Sequence, residues 1–191
     1  RGGVFFVDDN FIGNKKRLKE DVLPALIEWR RGKKGMSFNT EASVNLADDP
    51  ELMEMMTRAG FDTVFVGIET PDDDSLSECH KTQNRGRDLL AAVKTMQRSG
   101  LQVQGGFIVG FDSDTPSIFR RQLEFIQKSG VVTAMVGLLN APKGTKLYDR
   151  LEAEGRLEGV FTGDNTNNTM NFRPRMDPEV LKPGGEGNII L

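Results

Sequence analysis

Carboxylates, amides and glycines recur in this 191-residue chain where an apolar run gives way to a loop. Asp8-Asp9-Asn10 follows Val4-Phe5-Phe6-Val7, and Asn39-Thr40-Glu41 closes a run that begins at Met36. Glu69-Thr70 follows the β-branched segment Thr63 to Ile68, and Asn140 follows Val131 to Leu139. Between them, Gly105-Gly106-Phe107-Ile108-Val109-Gly110-Phe111-Asp112-Ser113-Asp114-Thr115 passes from apolar residues through a glycine-bearing loop into a helix start. Carboxylates accept hydrogen bonds from hydroxyl and ammonium groups. Glycines let a flat group come close to the backbone. Polar groups at the carboxyl ends of successive parallel strands are where (β/α) barrels keep their active sites. The row predicts a site shaped around a sizeable ligand.

Each residue also has a plainer reading. Asp9 and Asn10 can satisfy loop amides, as Asx residues do. The pair Asp8 and Asp9 could hold a divalent metal, but no histidine joins them, so no metal ligand is assigned. Glu41 and Glu69 could be structural partners of Lys81 or an arginine, and Lys81 itself could be a solvated lysine. Gly105 and Gly106 could mark a bend and Gly110 a turn. His80, the single histidine, falls in a polar loop and reads as surface rather than general base. Cys79 has no second histidine or basic cluster near it in sequence and reads as an incidental thiol. Met53, Met55 and Met56 read as packing against a sheet, and Phe5, Phe6, Phe65 and Phe107 as strand core.

The elements that must position these residues alternate. Strands are predicted at Val4–Val7, Met36–Thr40, Thr63–Ile68, Leu101–Val109 and Val131–Leu139. Helices intervene: one capped by Asn14 and closed by Gly32, one entered through Asp48 or Asp49 with Pro50 and ended by Gly60, then Arg87–Arg98, Thr115–Lys128 and Leu147–Glu154. Strand centres recur at roughly thirty residues, the length of a βα unit, which argues a parallel sheet with right-handed crossovers. The fold class is α/β, a partial (β/α) TIM-like barrel with about five of six parallel strands. Residues 1–159 form the βα units and 160–191 an irregular extension, with one more helix start at Met176-Asp177-Pro178-Glu179. Opening almost at once in a strand is odd for a complete domain, so the chain is expected to be truncated at its N-terminus.

Composition narrows the class. A net charge of -3 argues against a nucleic-acid-binding surface. No run approaches the roughly 18 apolar residues of a membrane span, and the first residues lack the parts of a signal peptide. One cysteine excludes an internal disulfide framework and points to the cytoplasm. An open barrel edge would invite pairing with another copy, so a homo-oligomer is a further expectation.

Taken together, the strand ends resemble those of radical S-adenosylmethionine enzymes over about residues 3 to 155. Val7-Asp8-Asp9-Asn10-Phe11 resembles the DD-x-F end of the second strand in cobalamin-dependent members. Gly67-Ile68-Glu69-Thr70-Pro71, with Ser75-Leu76 and Lys81-Thr82-Gln83-Asn84, resembles the fourth strand and its loop. Gly106-Phe107-Ile108-Val109-Gly110 resembles the fifth-strand G-x-I-x-G-x-x-E element, with Ser113 at the acidic place. Pro142-Lys143-Gly144-Thr145-Lys146-Leu147-Tyr148 resembles the P-x-G-T-x-L-Y segment after the sixth strand. The stretches Gly163 to Thr166 and Asn171 to Met176 are similar to the C-terminal extension of a cobalamin-binding subgroup. That subgroup contains hopanoid methylases and proteins labelled magnesium-protoporphyrin IX monomethyl ester oxidative cyclases.

The resemblance implies S-adenosylmethionine as cofactor, a 4Fe-4S cluster on a C-x3-C-x2-C loop, and cobalamin through an upstream domain. It implies oxidoreductase or methyltransferase activity on a small molecule, a tetrapyrrole or a lipid among the candidates. No cysteine loop exists here, so the isolated chain is expected to be inactive. The site residues carried over are Asp8 and Asp9 for the ligand amine, and Glu41 and Glu69 for ribose hydroxyls or the ammonium. Lys81 is carried over for the ligand carboxylate, Gly106, Ile108 and Gly110 for a strand edge beside adenine, and Asn140 for the adenine rim. Two rivals stand beside this: a cluster-independent (β/α) barrel lyase or aldolase, with Lys143 and Gly144 its nearest candidates, and a non-catalytic binding module.

Overall fold

Residues 2–78, 84, 86–159 and 169–184 are the described part of the computed structural model. Thr63 to Ile68, with branched or aromatic side chains at alternate positions, makes the middle of the central strand, and its neighbours follow in sequence order. The strands are β1 (Gly2–Phe6), β2 (Met36–Ala42), β3 (Phe61–Glu69), β4 (Gln102–Val109) and β5 (Thr133–Leu138). They form one sheet in the order β1-β2-β3-β4-β5, every pair parallel. The partial (β/α) barrel is the observed architecture.

Helices fill the crossovers. Asn14 accepts a hydrogen bond from the Arg17 amide at 3.0 Å and caps α1 (Lys15–Arg17). The expected single helix is interrupted: Leu18–Val22 is π-helical before α2 (Leu23–Arg30) resumes. Pro24 has no N–H to give the preceding turn, which accounts for a wider turn at this point. Asp49, not Asp48, caps α3 (Pro50–Ala59), accepting from Leu52 N at 3.1 Å, and Gly60 ends it in a left-handed conformation at φ 104°. The helices α4 (Asp73–Glu78) and α5 (Leu89–Arg98) follow β3, and α6 (Ser117–Ser129) follows β4. After β5 come α7 (Lys146–Ala153) and α8 (Pro178–Gly184).

The sheet has one covered and one open face. Phe38, Val64, Val66, Ile68, Val103 and Phe107 are buried with Leu52, Met53, Met56, Val93 and Met96 of the helices in one core. Side chains alternate across a strand, so the intervening residues face the concave side, where no helix layer packs among the described residues. Phe5 is therefore 49% exposed and Phe65 only half-buried, against the expectation that both are core. The C-terminal segment returns to the barrel. Leu157 bridges Phe172 antiparallel, Phe172 packs with Phe111, Leu139, Ala141 and Leu151, and Leu181 packs with Val109 and Ile118. Among the described residues no helix is long and apolar enough to cross a membrane.

Candidate functional site

The carboxyl end of β3 is irregular. Gly67 pairs with Gly106, but Glu69 pairs with Phe107, so Ile68 is an extra residue in the ladder. Glu69 takes φ 67°, the left-handed region, and Thr70 N donates to Ile68 O at 2.9 Å. The Asn84 side-chain amide donates to Gly67 O and Ile68 O, each at 3.1 Å. Glu69, 9% exposed, lines a groove of about 280 Å³ with Phe65, Gly67, Gly106, Ile108, Gly137, Leu138 and Asn140. The floor is glycine-rich. A Cβ on Gly106 would meet the Phe65 ring at 2.7 Å, while one on Gly137 meets nothing within 4 Å.

A second cavity of about 480 Å³ lies beyond the ends of β4 and β5, lined by Glu78, Phe111, Leu139, Pro142, Lys146 and Arg150. Asn140 lines both cavities. Its side chain is engaged: Oδ1 accepts from Asn171 N at 3.0 Å, and Nδ2 donates to Leu138 O at 3.3 Å and Thr169 O at 3.2 Å. Asn171 answers by accepting from Ala141 N and donating to Ala141 O, both at 2.8 Å. The C-terminal segment is thereby stitched along the end of β5.

The end of β4 is held by two carboxylates in different ways. Asp114 accepts from Gly110 N at 2.8 Å and Phe111 N at 3.1 Å, and from Ser75 Oγ at 2.9 Å. Burial pushes its carboxyl above the ordinary value, against those hydrogen bonds. Asp112 accepts from the two terminal Arg156 guanidinium nitrogens at 2.6 and 2.9 Å and from Arg150 at 2.7 Å. Those partners, Arg156 first, hold it down to about 2. Arg150 also reaches Glu78 at 3.0 Å, which ties α4, the β4 loop and α7 together.

Four of the nine residues read from sequence, Glu69, Gly106, Ile108 and Asn140, thus meet at one groove. Gly110 is not among the groove's lining residues; it takes φ 104°, and a Cβ there would meet the Met170 methyl at 2.9 Å. Asp8 and Asp9 are exposed beyond β1, and Asp8 accepts from the Asn10 amide at 3.2 Å. Glu41 is half-buried on β2, in register with Phe65. Lys81, with Cys79 and His80, lies outside the described residues. Sequence reasoning missed Asn84, Asp114 and Asn171. Asp114 carried a signal, since it stands one place after Ser113, where the strand motif expects an acid. Asn171 sat in a stretch read as irregular, and Asn84 closed the loop motif after the fourth strand without a role being read for it.

Comparison with known proteins places this geometry. A domain of unknown function (DUF4070) matches residues 145–184. The hopanoid C-2 methylase of Rhodopseudomonas palustris is 42% identical over 173 residues, 90% of this chain and 32% of that protein. The bacteriochlorophyllide d C-12(1)-methyltransferase of Chlorobaculum tepidum is 29% identical, over 77% of this chain and 31% of that one. In structure, the chain superposes on the radical S-adenosylmethionine methyltransferase TsrM from Kitasatospora setae, solved with cobalamin and a [4Fe-4S] cluster. The TM-score is 0.59 at 16% identity, covering 71% of this chain and 25% of that one. The chain thus has the fold of these radical S-adenosylmethionine enzymes and is similar in sequence to methylases and methyltransferases. It spans about a third of the length of these curated relatives.

A radical S-adenosylmethionine enzyme needs a nucleoside cradle and a cluster, and this chain can be tested for each. The groove fits a nucleoside: a carboxylate at one rim, apolar walls at Ile108 and Leu138, and open space over Gly137 that a side chain would fill. The cluster does not fit, because the chain has one cysteine and the described residues hold no group of three metal-ligating side chains.

Proposed function

We propose that this chain is the cofactor-cradling part of a radical S-adenosylmethionine methyltransferase whose cluster is held by another part of the protein. The observation that carries the reading is the groove at the ends of β3, β4 and β5, where Glu69 faces glycine-rich backbone across about 280 Å³. Glu69 accepts the ribose hydroxyls, since a carboxylate takes two donors at once. The edge from Gly106 to Ile108 lies against the adenine, and Gly110 turns the chain away after it. Asn140 serves through its backbone, because its side chain is already engaged with the C-terminal segment. Asp8, Asp9 and Glu41 lie on the side of the amino-acid portion, with Lys81 for its carboxylate.

Reductive cleavage of the bound cofactor would supply a carbon-centred radical there, and the residues of this chain bind, orient and shield the nucleoside. Methyl transfer is favoured over oxidative cyclisation because the relatives are named methylases and methyltransferases. Cobalamin, which is bound in the TsrM structure, would be carried by another part of this protein. The acceptor would be a small apolar molecule of the hopanoid or tetrapyrrole kind. Residues 1–159 serve as the cradle and 160–191 as an extension, whose described part, 169–184, packs at its β5 side.

The test uses the full-length protein, reconstituted with iron without oxygen and titrated with S-adenosylmethionine. Binding and release of 5'-deoxyadenosine or S-adenosylhomocysteine are expected, with Glu69→Gln weakening the cofactor roughly tenfold. Wild-type protein that binds iron but not the cofactor overturns the reading.

A further inference from the structure

Glu69 is the one non-glycine residue with positive φ among those described. That conformation is unfavourable for an L residue, because Cβ crowds the following carbonyl. Left alone, the chain would relax toward φ below zero and carry the carboxylate with it. The two carbonyls that precede Glu69 are those of Gly67 and Ile68, and Asn84 Nδ2 donates to both. Asn84 is 1% exposed, and its Oδ1 is shielded from solvent with no hydrogen-bond partner among the described residues. A buried acceptor without a donor is unfavourable and uncommon. An asparagine that tolerates it while using its NH2 twice is there for its donors.

We infer that Asn84 is a positioning residue for Glu69. Its amide grips the bulge, holds residue 69 left-handed and so fixes where the carboxylate enters the groove. The consequence for ligand binding rests on the cofactor reading above; the grip on the backbone does not.

Two variant cycles in the full-length protein separate these. The first needs no ligand. Asn84→Ala lowers the thermal midpoint by roughly 5 °C in the Glu69→Gly background, where both carbonyl bonds are lost in full, and by less than half of that in the native background, where release of residue 69 from positive φ returns part of the strain. Equal drops in both backgrounds overturn the grip. The second reads S-adenosylmethionine affinity at a temperature where all variants are folded. Asn84→Ala weakens binding roughly tenfold in the native background and adds little to Glu69→Gln, because both act through one carboxylate. Effects that multiply would reduce Asn84 to a structural residue. Asn84→Ser, which keeps one donor, falls between native and alanine in both cycles and replaces the alanine variant if that does not fold. Should native protein fail to bind the cofactor, the functional reading falls while the first cycle still decides the grip.

Discussion

At the carboxyl ends of β4 and β5, polar groups are held in buried or half-buried bonds, whereas at the end of β1 their bonds are exposed. Asp112 meets Arg150 and Arg156, and Asn140 meets Asn171, across about thirty to forty-four residues of chain. Asp8 accepts from Asn10, two residues on, and Asn10 accepts from Ser43 of the adjoining loop. The difference separates two uses of acid and amide at a barrel mouth. Groups already neutralised by the fold hold the wall, and groups left open keep their capacity for something that is not this chain. Glu69 stands between the halves, nearly buried yet lining the groove.

The comparison breaks most sharply at Asp112, where the largest effect is expected. Its side chain is 9% exposed and that of Arg156 10%. Removing one partner of such a buried pair leaves the other uncompensated, so Asp112→Ala should lower unfolding free energy by about 3 kcal/mol. Urea titration with an unchanged slope is the check; a loss below about 1 kcal/mol would mean the network is ornamental. The same carboxylate sets an acid limb. Its folded pKa, about 2, lies below the ordinary 3.8, so the unfolded chain binds the proton more tightly. Its contribution is complete above pH 4 and fades as pH falls toward 2, and Asp112→Asn should flatten that limb. Asp114, raised by burial, has the opposite sign and opposes folding as it ionises.

Asn171 comes next. It makes two buried hydrogen bonds to the Ala141 backbone, so Asn171→Ala should cost about 2 kcal/mol. Cleavage by a dilute protease should then begin within residues 169–173, while α3 and β3 stay intact. A uniform loss of protection instead would show that the C-terminal segment and the barrel unfold as one.

How much of this was legible in the sequence depends on how local the cause is. Asp49 before Pro50, Gly60 in its left-handed turn and the branched run of β3 are decided within a few residues, and all stand as expected. The open concave face was not legible. Phe5 and Phe65 carry the side chains of core residues, and among the described residues no second layer covers that face. Nor could periodicity find Asn84 or Asn171, whose partners are backbone carbonyls and amides sixteen or more residues away. Four groove residues were found because strand ends carry them. The bulge that turns Glu69 was not, since a bulge is a relation between two strands.

The smallest effect, expected at Asp9, sharpens the comparison most. Asp9 is exposed beyond β1, and a surface position free of core contacts usually tolerates substitution within about 0.5 kcal/mol. Asp9→Asn should therefore leave the urea midpoint in place. If the open half exists to meet the amino-acid end of the cofactor, the same change removes one attraction to an ammonium group. At an exposed site that is worth well under 1 kcal/mol, or roughly a threefold loss of affinity. The loss should shrink further as salt is added, because screening weakens exposed charges first. Affinity and salt dependence both unchanged would confine the ligand to β3, β4 and β5, and the acids at β1 would then serve another segment of the protein. A fall in stability without a fall in affinity would reverse the distinction between the two halves altogether.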